Sequence, residues 1–256
     1  MKVEVIGSGS AFSTQRNTSA VIISDEHQNW LIDCGPTIPR ALWQRNLDIN
    51  TVDVIYFTHI HPDHCSGLAA LLNQWKSFGR TKPLIIICQQ EQQTVLENLV
   101  ALSIWPEKNI CFEIYWMTTQ EHMSIGNWNV DTAETQHEVP NRALRISNGT
   151  HSVFYSGDGR PTAATTALMH NVDIAFQECA SFAALSADNS HGDLPQCIEL
   201  KQALNLPNLL VYHCWDEYLP QIKRACAETD GVYVSQDGLT IDLSLPTTPQ
   251  LERFLD

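Results

Sequence analysis

Several features are missing from this chain of 256 residues, and each absence excludes a class of protein. No apolar run approaches the roughly 20 residues that a helix needs to span a bilayer, which argues against a membrane-spanning protein. None of the 8 cysteines belongs to a CxxC pair, so neither a zinc ribbon nor a thioredoxin-like site is indicated. Basic residues are scarce, with 15 against 29 acidic ones and a formal net charge of -14, which argues against a broad electrostatic grip on nucleic acid or on an anionic membrane.

No linker rich in proline or serine interrupts the chain, and strand-like segments alternate with helical ones from end to end. We therefore expect a single domain over residues 1–256 with a layered α/β fold. The hydrophobic content of 43% is sufficient for a sizeable core. The opening segment Met1–Gly7 has the pattern of a strand rather than of a signal peptide, and a cytoplasmic location is the default expectation.

The hydrophobic patterns predict individual elements. Predicted strands are 2–6, 19–24, 30–33, 84–88, 111–116, 128–132, 143–146, 152–155, 172–176 and 209–212, and predicted helices are 38–45, 67–78, 91–102, 162–169 and 194–204. A further helix is predicted to begin at Asp216. Strands 232–234 and 239–243 are predicted to form a closing hairpin around Gln236-Asp237-Gly238.

The chain has an unusual concentration of potential metal ligands. Four of them fall within six residues, at His59-Ile60-His61-Pro62-Asp63-His64, directly after the apolar run Val54–Phe57. Imidazole and carboxylate groups are preferred ligands of zinc, manganese and iron, and a turn that leaves a strand can direct them around two neighbouring ions. This pattern predicts a two-metal hydrolase.

The cluster resembles the HxHxDH signature of the metallo-β-lactamase fold, and three more ligand positions of that family follow in the expected order. His137 comes after the alternating stretch 128–132, Asp158 lies in Tyr155-Ser156-Gly157-Asp158-Gly159, and His213 follows the strand-like stretch 209–212. The resemblance covers nearly the whole chain. It implies a four-layer αββα sandwich with two metal ions at one edge, between two sheets.

The resemblance also implies how the ligands are shared. One ion would be held by His59, His61 and His137, the other by Asp63, His64 and His213, with Asp158 bridging them. Zinc is the first expectation, and manganese and iron are alternatives, because such sites accept all three. Asp63 would also orient a metal-bound hydroxide. Such a hydroxide is available near neutral pH because metal binding lowers the pKa of water from about 15.7 to about 7. A simpler interpretation of Asp158 is a cap on the helix that follows it.

His191 and Glu178 resemble a pair found in the RNase Z and related phosphodiesterase branch of this family. There, a histidine that binds no metal faces the scissile phosphate and is supported by a glutamate. Such a histidine can stabilise charge in the transition state or protonate the leaving oxygen. The alternative is that His191 caps or decorates a loop before the helix near Leu194, with Glu178 solvated at the end of a strand.

The chain departs from the RNase Z pattern at several places. Gln177 and Gly192 replace residues typical of that branch, and only 20 residues separate His137 from Asp158. This spacing leaves no room for the long arm with which RNase Z grips transfer RNA.

Other residues beside the proposed ligands have two interpretations each. Cys65 and Cys214 each follow a ligand histidine, and they could adjoin the site or simply be buried. Arg160, Trp215 and Tyr218 could line a pocket for a base or another ring, or belong to the core.

The sequence thus predicts a phosphodiesterase that acts on a small-molecule, nucleotide-like or small nucleic-acid substrate through metal-bound hydroxide, with Asp63, His191 and Glu178 as catalytic residues. Hydrolysis of a carboxylic ester, thioester or lactone is one alternative, because the same ions would polarise a carbonyl. A metal-binding accessory protein without turnover is another. No membrane partner is expected, and a homodimer stays open, since members of the family often dimerise.

Overall fold

The computed structural model describes residues 1–252. Its strands are β1 (Lys2–Gly7), β2 (Ala20–Ser24), β3 (Asn29–Ile32), β4 (Val54–Tyr56), β5 (Leu84–Cys88), β6 (Ile114–Thr118), β7 (His122–Ile125), β8 (Trp128–Glu134), β9 (Arg142–Ser147), β10 (Ser152–Tyr155), β11 (Ile174–Glu178), β12 (Leu209–Tyr212), β13 (Val232–Val234) and β14 (Thr240–Asp242). Its helices are α1 (Ile38–Gln44), α2 (Pro62–Cys65), α3 (Leu68–Ser77), α4 (Gln93–Ile104), α5 (Ala163–Leu168), α6 (Leu194–Ala203), α7 (Leu219–Ala227) and α8 (Thr247–Glu252).

The strands form two seven-stranded sheets. Their strand orders are β14-β1-β2-β3-β4-β5-β6 and β13-β12-β11-β10-β9-β8-β7. The inner faces of both sheets enclose one large apolar core. Side chains of α1, α3 and α4 pack on the outer face of the first sheet, and side chains of α6 and α7 pack on that of the second. This is the four-layer αββα sandwich that was predicted.

Both faces of each sheet are covered, and the strand sequences reflect this. In β2, Val21 and Ile23 point into the central core whereas Ile22 points toward the helices. Because successive side chains alternate between faces, a strand that is buried on both faces is apolar at nearly every position. Trp30 and Trp128 meet across the central core with their ring centroids 5.4 Å apart. Burial of such large side chains is the main stabilising contribution, at about 1.5–3 kcal/mol for each.

The predicted closing hairpin is wrong. The two strands exist, but β13 pairs with β12 in the second sheet whereas β14 pairs with β1 in the first. The turn between them crosses from one sheet to the other because Asp237, in this turn, binds the loop that follows β1. Its carboxylate accepts hydrogen bonds from the backbone N–H groups of Ser8, at 2.9 Å, and Asn17, at 2.7 Å.

Two further local predictions need correction. The helix predicted from Asp216 begins at Leu219, because the Asp216 carboxylate instead accepts hydrogen bonds from the Ser13 hydroxyl, at 2.7 Å, and the Thr14 N–H, at 2.9 Å. Strand β7 was not predicted at all. Of its four residues only Met123 is buried, so its sequence carries almost no apolar signal.

The topology brings four chain segments to one edge of the sandwich. The HxHxDH segment leaves the carboxyl end of β4, and the segments with Asp158 and His213 leave the carboxyl ends of β10 and β12. Glu178 is the last residue of β11. Since β10, β11 and β12 run parallel to one another, their carboxyl ends lie side by side. Ligand sites of α/β proteins commonly form at this end of the strands.

Helices in this protein are short. The longest within residues 1–252 is α4, with 12 residues, and no helix in that range has the length and apolar character to cross a membrane. Residues 253–256 lie outside the described part, and the single domain over 1–256 stays a prediction.

Arg80 ties together the loops that precede β4 and β5. Only 1% of this residue is exposed. Its guanidinium donates to the carbonyl oxygens of Ile49 and Val52 at 2.7 Å each, of Lys82 at 2.8 Å and of Pro83 at 2.9 Å. Burial lowers the pKa of Arg80 to about 10, so the group stays charged at neutral pH.

We predict that Arg80→Met lowers the free energy of unfolding by about 3 kcal/mol or more, because four carbonyl oxygens, including that of the buried Val52, lose their donor. Urea unfolding followed by circular dichroism measures this change. Arg224→Met, at an exposed position of α7, is the matched control and should change the stability by no more than about 0.5 kcal/mol. Equal effects of the two substitutions would contradict the structural role of Arg80.

Candidate metal centre and active site

Three imidazoles meet at the first of two adjacent ligand groups. Nε2 of His59 and Nε2 of His137 each lie 3.1 Å from Nδ1 of His61. One nitrogen of each ring is within 4.8 Å of the others, a spacing at which one metal ion can be bound by all three. Two of these histidines come from the HxHxDH segment and the third from the loop after β8, so the structure brings together residues that are 76 positions apart.

The second group contains two carboxylates and two imidazoles, and all four residues are buried. Nε2 of His213 lies 3.3 Å from a carboxylate oxygen of Asp63 and 3.3 Å from one of Asp158. Nε2 of His64 lies 3.2 Å from the other oxygen of Asp158. The structure therefore collects all seven predicted ligands into two neighbouring groups. Their role in metal binding, and the bridging role of Asp158, stay predictions.

The polar atoms of the second group fit a divalent cation. Nε2 of His64 and Oδ1 of Asp158 are buried and make no hydrogen bond, and buried polar atoms without a partner are costly in a folded protein. A cation between the imidazoles and carboxylates would satisfy both atoms. The mixture of nitrogen and oxygen ligands suits zinc, manganese or iron.

The two groups differ in protonation. Burial and the neighbouring His64 ring hold the pKa of His59 well below its usual value, and burial also lowers the pKa of His61, so these two rings of the first group are neutral at neutral pH. Burial would also lower the pKa of His64, but the negative charges of Asp158 and Asp33 outweigh it and raise that pKa well above its usual value. A metal ion in the second group must therefore displace a proton, and its affinity should fall as the pH falls.

Asp33 supports the second group from the side away from the cleft, a role that was not predicted from the sequence. Its carboxylate is fully buried and accepts hydrogen bonds from His64 Nδ1, at 2.8 Å, and from the Thr58 N–H, at 2.9 Å. These contacts fix the ring of His64 so that Nε2 points into the site. A partner on the second ring nitrogen is a common feature of metal-binding histidines.

Backbone strain and close packing are concentrated around the same residues. Asp33 and His213 have φ angles of +64° and +58°, in the left-handed region that residues other than glycine rarely adopt. Gly35 has no room for a side chain, because a Cβ atom there would lie 1.8 Å from the carbonyl oxygen of Asp63. The HxHxDH segment is thus held against the turn after β3.

Asp158 does not cap the following helix. The N-cap of α5 is Thr162, whose hydroxyl accepts a hydrogen bond from the N–H of Thr165. The backbone N–H of Asp158 instead donates to the side-chain oxygen of Asn141, at 3.1 Å. The capping interpretation is therefore wrong, and the carboxylate is directed into the second ligand group.

His191 and Glu178 form a contact beside the ligand groups. Nδ1 of His191 lies 3.1 Å from one carboxylate oxygen of Glu178. The other oxygen accepts the backbone N–H groups of Gly192, at 2.8 Å, and Gly159, at 3.1 Å. Burial would lower the pKa of His191, but the hydrogen bond and charge of Glu178 outweigh it and raise the pKa to about 9.

The alternative interpretations of this pair do not hold. Glu178 is completely buried rather than solvated. The residue that caps α6 is Asp193, whose carboxylate accepts the N–H of Gln196 at 3.0 Å. Arg160 contributes as well, since its guanidinium donates to the carbonyl oxygen of His191 at 3.1 Å and to Asp193 at 2.9 Å. The loop that carries His191 is thus held by Arg160, which binds the carbonyl oxygen of His191, and by Glu178, which binds the N–H of Gly192.

An open cleft of about 480 Å³ is lined by His191 and by members of both ligand groups: His61 of the first, and Asp63, Asp158 and His213 of the second. Phe12, Glu138 and Trp215 complete its wall. Tyr218 packs against Trp215 with ring centroids 6.1 Å apart. Cys65 and Cys214 are buried in the apolar clusters under the helices, which favours the packing interpretation for both.

Comparisons with known proteins agree with the geometry. A family model described as anti-Pycsar protein Apyc1 matches residues 1–231. An anti-Pycsar protein Apyc1 from Paenibacillus harenae is 33% identical over 165 residues, which cover 62% of this chain and 68% of that protein. A ribonuclease Z from Natronomonas pharaonis is 23% identical over an alignment of 306 positions that covers 96% of this chain and 99% of that protein. The chain spans about half the length of several other curated relatives that it matches.

The solved structure of the metallo-β-lactamase fold protein YhfI from Bacillus subtilis superposes with a TM-score of 0.80 at 19% identity, covering 93% of this chain and 97% of that one. At this identity the likeness shows the fold alone. It confirms the predicted metallo-β-lactamase fold, and the ribonuclease Z relatives confirm the predicted resemblance to that branch.

We predict that Asp33→Asn lowers metal affinity by about 10- to 100-fold, because His64 loses the partner that orients it. Competition with a chromogenic chelator, combined with metal counting by mass spectrometry, measures the affinity. Asp131→Asn is the control, since Asp131 pairs with the exposed His122 on the surface. Unchanged affinity in a folded Asp33→Asn protein would show that Asp33 does not support a metal ligand.

Proposed function

The chain belongs to the anti-Pycsar protein Apyc1 family, and from that starting point we propose that it is a metal-dependent phosphodiesterase acting on a nucleotide-like or small nucleic-acid substrate. The observation that carries the proposal is the His191–Glu178 pair, whose histidine lines the same cleft as members of the two ligand groups. Ribonuclease Z, the name of several relatives, denotes a nuclease, and this supports phosphodiesters over carboxylic esters as the substrate class.

The two ligand groups would hold two divalent ions, with zinc as the first choice. When bound, the ions supply Lewis acidity and a water molecule activated for attack near neutral pH. Asp63 stays ionised throughout the neutral range: burial opposes this, but His64 and His213 outweigh burial and hold its pKa far below the usual value. Its carboxylate can therefore accept a hydrogen bond from the attacking water and orient it.

His191 would act on the phosphate from a position beside both ligand groups, since its ring centroid lies 5.2 Å from that of His137 and 5.8 Å from that of His213. With its pKa near 9, the ring carries a proton at neutral pH. Glu178 binds Nδ1, so that Nε2 is free to donate toward a phosphate oxygen or the leaving oxygen. A positioned acid of this kind contributes about 10²- to 10⁴-fold to the rate.

The cleft favours a small substrate over a long nucleic acid. No lysine or arginine is among its lining residues within the described part of the chain, whereas binding to many phosphates depends on such residues. Residues 142–155 between His137 and Asp158 form the strands β9 and β10 with a short connection, which leaves no arm at that place. The alignment to the Natronomonas pharaonis ribonuclease Z contains at least 50 positions (306 minus 256) without a counterpart in this chain.

We predict that His191→Ala lowers kcat for bis(p-nitrophenyl) phosphate by about 10²- to 10⁴-fold and leaves the metal content unchanged, because the residue donates a proton without binding a metal ion. Turnover is measured on protein whose metals have been counted, with p-nitrophenyl acetate and a precursor transfer RNA as comparison substrates. His170→Ala, at an exposed position after α5, is the control. Cleavage of the acetate alone by metal-loaded protein would move the assignment to carboxylic esters, and rapid cleavage of the RNA would contradict the preference for small substrates.

A second prediction concerns pH. His191 is protonated below its pKa and loses the proton as the pH rises through it, so activity that needs the proton should fall on the alkaline side. Glu178→Gln removes the charge that raises this pKa, and the alkaline limb of kcat/KM should move to lower pH. The control Glu199→Gln, at an exposed position of α6, should leave the profile in place. An alkaline limb that does not move would exclude His191 as the group responsible.

A further inference from the structure

Phe12 stands at the mouth of the cleft with almost its whole surface in water. It is 94% exposed, more than any other large apolar side chain in residues 1–252. It lines the same cleft as His191 and Asp158. An exposed aromatic ring gains nothing from burial in the folded chain, so its position beside the candidate active site indicates contact with a ligand.

The loop that carries Phe12 is held firmly, so the exposure is not the result of a loose segment. The loop is closed by a hydrogen bond from the Gly9 N–H to the Asn17 carbonyl, at 2.7 Å. Asp237 binds its two ends and Asp216 binds its middle through Ser13 and Thr14. A ring presented by a preorganised loop loses little conformational freedom when it binds a ligand.

Trp215 is the second aromatic residue of the cleft wall. Trp215 directly precedes Asp216, whose carboxylate accepts the hydrogen bond from Ser13 that holds the Phe12 loop. The same hydrogen bond therefore fixes the position of this loop relative to Trp215. Its ring packs edge-on against His191, with centroids 5.9 Å apart and an interplanar angle of 72°. Its backbone N–H donates to the carbonyl oxygen of Ala180 at 3.0 Å.

We propose that Phe12 and Trp215 form a subsite that holds the nucleobase of the substrate by stacking, while its phosphate lies against the ligand groups and His191. This inference rests on the proposed function, because it takes the phosphate position from the candidate active site. Stacking tolerates any base, since every base presents a π face. The cleft wall contains no asparagine or glutamine among the described residues, so we expect purines and pyrimidines to bind with similar affinity.

The experiment compares two ligands that differ only in the base. Metal-loaded protein is titrated by calorimetry with uridine 5′-monophosphate and with ribose 5-phosphate. We expect the nucleotide to bind about 5- to 100-fold more tightly than the sugar phosphate, the range that one stacked base provides. Adenosine 5′-monophosphate should bind within about tenfold of the uridine nucleotide, because stacking discriminates weakly between bases.

Phe12→Ala should remove most of this difference and leave the affinity for ribose 5-phosphate unchanged. The substitution alters only an exposed side chain, so the variant should fold. Phe12→Trp should preserve the preference, since it keeps an aromatic face. Phe78→Ala is the matched control: Phe78 is 72% exposed, follows α3 and lines a different cavity.

Equal binding of nucleotide and sugar phosphate, no binding of the nucleotide, or an unchanged preference in Phe12→Ala would each overturn the subsite. These outcomes are separable from the proposed function, which is tested by turnover. A nucleotide preference that depends on Phe12, in a protein that cleaves no phosphodiester, would support the subsite and reject the phosphodiesterase. Cleavage of bis(p-nitrophenyl) phosphate without any nucleotide preference would support the phosphodiesterase and reject the subsite.

Discussion

Asp33, Asp158 and His64 carry ionisable groups that are almost completely buried, and an isolated charge in such a place would cost many kcal/mol. The cost is tolerable only because opposite charges lie close together, with His64 Nδ1 2.8 Å from the Asp33 carboxylate and Nε2 3.2 Å from that of Asp158. Much of the surrounding architecture maintains that arrangement. The left-handed backbone at Asp33 and His213 and the close approach of Gly35 to Asp63 are locally unfavourable or restrictive features that the buried cluster requires.

The sequence predicted the parts of this site that are encoded locally. The HxHxDH segment gives four ligands from one short stretch, and the resemblance to a known fold supplied His137, Asp158 and His213. Asp33 could not be identified in the same way, because an aspartate at the end of a strand has many uses and its contact with His64 joins residues 31 positions apart. The layered fold followed from the alternation of strands and helices, whereas the pairing of strands did not.

The wrong prediction of the closing hairpin also results from contacts between residues that are distant in the sequence. Two short apolar strands around Asp237-Gly238 have the local pattern of a hairpin. Whether such strands pair is decided by what the turn touches, and here the Asp237 carboxylate binds residues more than two hundred positions away. Strand β7 shows the opposite case, in which a nearly polar segment becomes a strand because β8 provides a partner for its backbone.

The contacts of Asp216 and Asp237 with the loop after β1 have a consequence for synthesis on the ribosome. Strand β1 emerges more than two hundred residues before the side chains that fix the following loop and before β14, which pairs with β1. Contacts between such distant residues close large loops and form slowly. A nascent chain that ends at His213 would contain all the candidate metal ligands and still lack the anchors that shape the cleft mouth. The candidate ligands and the anchors of the cleft mouth are therefore supplied by different stretches of the chain, and the mouth cannot take its final shape before residues 216–242 have been added.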